Sequence, residues 1–175
     1  MLRTRQQALT QYQQQLSLIL NCVANAEVYS YPSGPDTYVL VSRDRSNSSQ
    51  LKLKRGRHTL YLDAHQIIQI FDADNFRIST VKYIYVLWDF RPNERVIDWH
   101  YHRRQKNSFE AHLHIRDDAQ RTGHPLVSRH IPTGRVPLED VVRFAIDEMN
   151  IGSRDSNWKN ILLQTEAIFR ANRTW

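Results

Sequence analysis

The sequence predicts an α+β domain in which a mainly antiparallel sheet of about six to eight strands packs on one N-terminal helix and two C-terminal helices. Apolar residues recur with a helical period at both ends of the chain. The middle of the chain instead holds short runs of β-branched and aromatic residues between turn-forming residues. A length of 175 residues suits one domain, so we predict a single unit over residues 1–175.

The first helix is predicted over residues 3–25. Apolar side chains at Leu9, Tyr12, Leu16 and Ile19 are spaced by three or four residues, which is typical of one buried helix face. The six glutamines among the first fifteen residues and the polar Asn21 favour this amphipathic helix over a secretory signal.

The region 26–130 is predicted to be rich in strands. Turn-forming residues at 32–35, 72–75 and 91–94 separate the apolar runs. The predicted strands cover residues 26–31, 37–42, 51–54, 59–62, 66–71, 77–90 and 95–102.

The chain returns to helix over residues 137–172. Pro137 suits the first position of a helix, and the acidic Glu139 and Asp140 suit its first turn. Gly152 is predicted to end that helix, and a second helix follows it.

Charge and motifs narrow the class of function. Lys and Arg total 24 against 18 Asp and Glu, and the segment between His100 and Arg135 alone holds seven basic residues and three acids. Such an excess is typical of a surface that attracts phosphate, although it also suits a solvated basic face. The single Cys22 excludes a disulfide framework, and no phosphate-binding glycine loop or G-x-S-x-G motif occurs. We expect a cytoplasmic protein with no membrane segment.

Two pairs of histidines carry the most specific signal. His100 and His102 form one pair and His112 and His114 the other, and alternate residues of a strand share a face. We predict an antiparallel hairpin with His102 across from His112 and His100 across from His114, so that four imidazoles share one face. The opposite face then becomes wholly apolar, with Trp99, Tyr101, Leu113 and Ile115.

Three interpretations of these histidines stay open. They can coat an exposed sheet face, they can bind a divalent metal such as zinc, or they can act as general acid and base on a phosphodiester. RNA suits the third interpretation because its own 2′-hydroxyl is the nucleophile, and the reaction then needs no metal.

The segment 130–144 supplies candidate phosphate ligands. His130, Thr133 and Arg135 precede a predicted helix, whose N-terminal amide groups attract anions. Arg129 and Arg103 are further candidates, although an ordinary strand-to-helix connection with a surface ion pair explains the same residues.

The motifs WHYH (99–102), HLHI (112–115), HIPTGRVPLEDVVRF (130–144) and RTW (173–175) resemble a group of uncharacterised bacterial proteins that are similar to TumE-like toxins of toxin–antitoxin pairs. The resemblance covers roughly residues 76–175. It implies a cytoplasmic ribonuclease toxin that a cognate antitoxin neutralises. The implied site residues are His100, His102, His112, His114, His130 and Arg135. The region before the resemblance, residues 1–75, is longer than the corresponding region of the compact toxins. This difference leaves the oligomeric state open.

We therefore predict a metal-independent endoribonuclease toxin with RNA and an antitoxin as partners, and with a homo-oligomer as a possible state. Its catalytic histidines would be the five named above, with Arg135, Thr133, Arg129 and Arg103 at the phosphate. The alternative is a non-enzymatic basic protein that binds nucleic acid or a partner, and that holds zinc on His100, His102, His112 and His114.

Overall fold

The computed structural model describes residues 4–46, 50–71, 76–89, 94–103, 110–115 and 129–171. Within these ranges the chain forms three helices and eight strands, so the predicted α+β class is confirmed. The helices are α1 (Arg5–Asn21), α2 (Leu138–Asp147) and α3 (Trp158–Ala171). The strands are β1 (Ala26–Gly34), β2 (Thr37–Asp44), β3 (Leu51–Arg55), β4 (His58–Phe71), β5 (Arg77–Asp89), β6 (Glu94–His102), β7 (Ala111–Ile115) and β8 (Ile131–Pro132).

All described strand pairs are antiparallel and form one sheet in the order β1-β2-β4-β5-β6-β7-β8. The long strand β4 pairs with β3 through its first half and with β2 through its second half. The predicted break between strands 59–62 and 66–71 is wrong. Asp63 and His65 are polar because they face away from the helices, while Leu62 and Ala64 continue the buried alternation.

Side-chain hydrogen bonds cap both ends of helix α1. Thr4 and Gln7 form a reciprocal capping box at its start. At its end the amide of Asn21 binds both the backbone N–H and the carbonyl of Ala26, which starts β1. The helix is therefore shorter than the predicted 3–25.

The core lies between the helices and one face of the sheet, which we call the inner face. Trp99 of β6 packs edge-on against Phe144 of α2, with ring centroids 5.5 Å apart. The largest fully buried side chains come from both layers and include Ile19, Leu20, Leu40, Leu62, Tyr85, Leu87, Val141 and Leu162.

The C-terminal part contains the two predicted helices, and its details differ in two respects. Helix α2 ends at Asp147, with Glu148 as its C-cap, rather than at the predicted Gly152. Pro137 is the residue before the helix rather than its first helical residue, and α2 begins at Leu138. No described helix is long and apolar enough to cross a membrane.

Candidate functional site at the histidine cluster

Five histidines meet on the sheet face opposite the helices, which we call the outer face. His100 and His102 lie on β6, His112 and His114 lie on β7, and His130 directly precedes β8. The short strand β8 pairs Pro132 with His112, which brings His130 beside β7. We call these five residues the histidine cluster.

The rings of the cluster lie in mutual contact. His100 and His112 are directly paired across β6 and β7, with ring centroids 5.4 Å apart. His114 lies 5.2 Å from His100 and 5.1 Å from His112. His130 is closer still, at 4.8 Å from His112 and 4.5 Å from His114. His102 lies at the margin, 5.9 Å from His100 and 6.1 Å from His112.

The predicted hairpin register is wrong by two residues. His100, rather than His102, pairs with His112, and His114 lies across from Asp98. A shift of two residues keeps every side chain on its face, so the four histidines of the hairpin still share one side. In the observed register the large Tyr101 lies opposite the small Ala111, and the Arg135 guanidinium packs over the Tyr101 ring at 4.2 Å.

The predicted division of the hairpin into an apolar and a histidine face holds in part. Trp99 and Tyr101 are buried, whereas Leu113 is half-buried and Ile115 is 38% exposed at the end of β7. The face is therefore not wholly buried. His112 and His114 are themselves buried although they point away from the helices, and the neighbouring imidazoles contribute to that burial.

Asp98 is a fully buried carboxylate within this face, and the sequence interpretation missed it. Its Oδ2 lies 3.2 Å from Nε2 of His100 and 3.5 Å from a guanidinium nitrogen of Arg95. The alternation Asp98–His100–His102 was a readable signal, because all three residues fall on one face of a strand. The carboxylate accepts the Nε2 proton of His100, which fixes the tautomer and orientation of that ring.

Three of the imidazoles are placed to share one ligand. The ligand nitrogens of His100, His112 and His114 all lie within 4.8 Å of one another. Around a tetrahedral zinc ion with bonds of about 2.0–2.1 Å, such nitrogens are separated by about 3.4 Å. Rotation of the side chains would have to close that difference. We call these three residues the histidine triad.

Positive charge lies beside the cluster on the outer face. Lys82 of β5 is paired directly with His102. Burial lowers the pKa of His102, and Lys82 and the neighbouring His100 and His112 lower it further. Lys82 was not among the sequence candidates, because its position beside His102 depends on the β5–β6 register.

The outer face connects the cluster to the far edge of the sheet. Directly paired residues form a row from Tyr29 on β1 through Val41, His65 and Ile84 to His100 and His112. A parallel row runs from Tyr31 through Val39, Ile67 and Lys82 to His102. Tyr29 and Tyr31 are 47% and 52% exposed, and Arg43 packs over the Tyr29 ring at 5.5 Å.

The predicted place of Arg135 at the edge of the histidines is wrong. Its guanidinium donates a hydrogen bond to the Thr80 carbonyl and lies over Tyr101, whose side chain is on the inner face. The next residue, Val136, donates its N–H to the Tyr83 hydroxyl on the same face. Thr133 extends the pairing of β8 through a hydrogen bond from its N–H to the carbonyl of Ala111. The reason is that the chain after β8 is held on the inner face by these contacts to Thr80 and Tyr83, whereas His130 precedes β8 and contacts the outer-face histidines.

Arg103 and Arg129 are both exposed, and each is adjacent in sequence to a cluster histidine. Their role at a phosphate stays a prediction. Other basic residues of the 100–135 segment, and the terminal RTW motif, lie outside the described residues: Arg104, Lys106, Arg116, Arg121 and residues 173–175.

No family model, curated protein or solved structure matches this chain. The resemblance to TumE-like toxins therefore stays a prediction that these comparisons do not test.

Proposed function

We propose that the protein is an endoribonuclease whose catalytic centre is the histidine cluster. One observation carries this proposal: five imidazoles and the buried carboxylate of Asp98 converge on one sheet face, beside the ammonium group of Lys82. A cleaving centre for RNA needs a base, an acid and a cation for the phosphate, and this face holds side chains able to fill each role.

The reaction needs no group from outside the protein and the RNA. One imidazole takes the proton of the 2′-hydroxyl, and the 2′-oxygen attacks the adjacent phosphorus. The bond from phosphorus to the 5′-oxygen breaks, and a second, protonated imidazole gives that oxygen its proton. The products are a 2′,3′-cyclic phosphate and a 5′-hydroxyl.

Asp98 and Lys82 have distinct roles in this proposal. Asp98 holds His100 in one tautomer, which leaves Nδ1 as the nitrogen free to act as a base. Lys82 stabilises the negative charge that develops on the phosphorane, a role that the sequence had assigned to Arg135. Arg103 and Arg129 remain candidates for contacts to neighbouring phosphates.

The outer face offers a path for the rest of the RNA. Tyr29 and Tyr31 lie four strands from β6, which corresponds to about 19 Å at the usual strand spacing. Exposed aromatic rings on an open sheet stack with unpaired bases, so we propose that single-stranded RNA crosses this face towards the cluster.

The test is an RNA cleavage assay in EDTA with untagged protein. We expect cleavage of an RNA oligonucleotide to a cyclic phosphate, and no cleavage of the same oligonucleotide with a 2′-deoxy sugar at the scissile position. His100→Gln should abolish cleavage. Leu18→Ala is the control, because Leu18 is an exposed residue of α1 that lies outside both the cluster and the proposed path of the RNA. Intact RNA at all protein concentrations would refute the enzyme and leave the non-enzymatic binding protein.

The role as a toxin with a cognate antitoxin is a further part of this proposal and rests on the sequence resemblance. Expression in bacteria should arrest growth, and expression of a small neighbouring gene should relieve the arrest. Growth arrest that persists with His100→Gln would separate toxicity from the histidine cluster.

A further inference from the structure

We propose that the histidine triad binds one divalent transition metal ion, and that the bound ion switches off the RNA cleavage proposed above. Only the inhibition of cleavage rests on the proposed function. The metal site itself stands on the geometry of His100, His112 and His114.

The ligand set suits a transition metal rather than Mg²⁺ or Ca²⁺. Three imidazoles are nitrogen ligands, which zinc, cobalt, nickel and copper accept and which the hard oxygen-seeking ions do not. His112 and His114 are nearly excluded from solvent and lie on a paired strand, so the backbone positions of two of the three ligands are fixed and few rotamers are open to them. Little conformational entropy remains to be lost when they bind an ion.

Asp98 completes the arrangement expected of a histidine that ligates a metal. Such a histidine usually donates its other ring N–H to a carboxylate, which orients the ring and raises its basicity. Asp98 stands in this relation to His100, at 3.2 Å from Nε2, so Nδ1 is the nitrogen that would bind the ion. Asp98 is therefore a positioning residue for the site.

A bound ion opposes the acid–base chemistry of the same rings. Each ligating nitrogen gives its lone pair to the metal and can then neither take nor deliver a proton. Three of the five cluster imidazoles would be withdrawn in this way, leaving His102 and His130 outside the coordination sphere. Cleavage should consequently fall as the site fills.

The binding experiment uses the full chain without a histidine tag, stripped of metal with a chelator. We expect one equivalent of Co²⁺ to bind and to give the strong visible absorption of a tetrahedral nitrogen-rich site, and Zn²⁺ to displace it. His100→Gln and His114→Gln should each weaken binding at least a hundredfold, and Asp98→Asn should weaken it about 10- to 100-fold. His65→Gln should leave binding unchanged.

The folding of each variant is checked by circular dichroism. The wild-type titration tests the site even if the variants fail to fold, because failure of the wild type to bind Co²⁺ or Zn²⁺ would overturn the metal site. Binding that survives both triad substitutions would overturn it as well.

A second titration measures RNA cleavage against Zn²⁺. We expect cleavage to fall with the same midpoint as the binding curve, and EDTA to restore it. Cleavage that rises with occupancy would overturn the inhibitory role while leaving the site. Cleavage in EDTA by a protein that takes up no ion would overturn the metal inference and leave the ribonuclease. A protein that binds one equivalent of metal but cleaves no RNA, with Zn²⁺ or with EDTA, would overturn the ribonuclease and leave the metal site.

Discussion

Trp99 and His100 are neighbours in sequence but lie on opposite faces of β6, so substitutions at the two positions should have opposite effects. Trp99 is 6% exposed and packs edge-on against Phe144 of α2. Replacing a buried tryptophan by alanine costs about 3–5 kcal/mol, because it removes apolar contacts and leaves a cavity. The ring pair with Phe144 contributes about 0.5–1.5 kcal/mol of that loss.

His100 is 16% exposed at its side chain, and its neighbours are other imidazoles and a carboxylate. His100→Gln keeps a polar side chain of similar reach, so we expect a loss of stability of less than about 1.5 kcal/mol. The same substitution should abolish RNA cleavage and metal binding. Trp99→Ala should leave both intact in the molecules that remain folded.

The assay combines urea unfolding, followed by circular dichroism, with cleavage rates corrected for the folded fraction. A double-mutant cycle with Phe144→Leu isolates the ring pair. Two results would refute this division of roles: a loss of less than 1 kcal/mol for Trp99→Ala, or a folded Trp99→Ala protein without activity.

Three further predictions concern the inner face and the path for RNA. Arg135→Met should cost about 2 kcal/mol in urea unfolding, because it removes a charged hydrogen bond and a ring contact on the inner face; a free energy of unfolding equal to that of the wild type would contradict this placement. Burial raises the pKa of Glu139 in the folded protein above its value in the unfolded chain. The folded state is therefore most stable at acidic pH, where Glu139 is protonated, and it loses this stability as the pH rises through the pKa of the folded state. Glu139→Gln should therefore raise the free energy of unfolding at pH 7, by about 1.4 kcal/mol for each unit of pKa shift, and the gain should vanish near pH 4; equal unfolding curves for the two proteins at pH 7 would argue against it. Tyr29→Ala should weaken binding of single-stranded RNA about 5- to 150-fold in a fluorescence anisotropy titration, the equivalent of about 1–3 kcal/mol per stacked base, whereas Leu18→Ala, at an exposed position of α1, should not.

The sequence was sufficient to predict the faces of the histidine strands but not their register. Period-two alternation alone put His100, His102, His112 and His114 on one side. The register of a hairpin also depends on the length and path of its loop, and a two-residue shift leaves every face unchanged. Packing between Tyr101, Ala111 and Arg135 is a tertiary effect that a pattern within one strand does not contain.

The same limit explains the error at β4. Asp63 and His65 look like a polar break between two apolar runs, yet they are the outward-facing members of one long strand. The buried residues continue through them at every second position. Recognising this requires knowing that the outer face of the sheet accepts polar side chains, which becomes clear only when β4 is placed between β2 and β5.

The displaced Arg135 has a consequence for the cluster after all, through the backbone. Arg135 is tied to Thr80 and Tyr101, and the N–H of the following residue is bonded to the Tyr83 hydroxyl. These contacts fix the chain immediately after β8, a strand of only two residues that pairs with β7. His130 reaches the imidazoles of β7 because β8 is held there. The inner-face side chains of this segment therefore act on the histidine cluster by positioning one of its five rings, while the proposed role at the phosphate goes to Lys82 on the outer face.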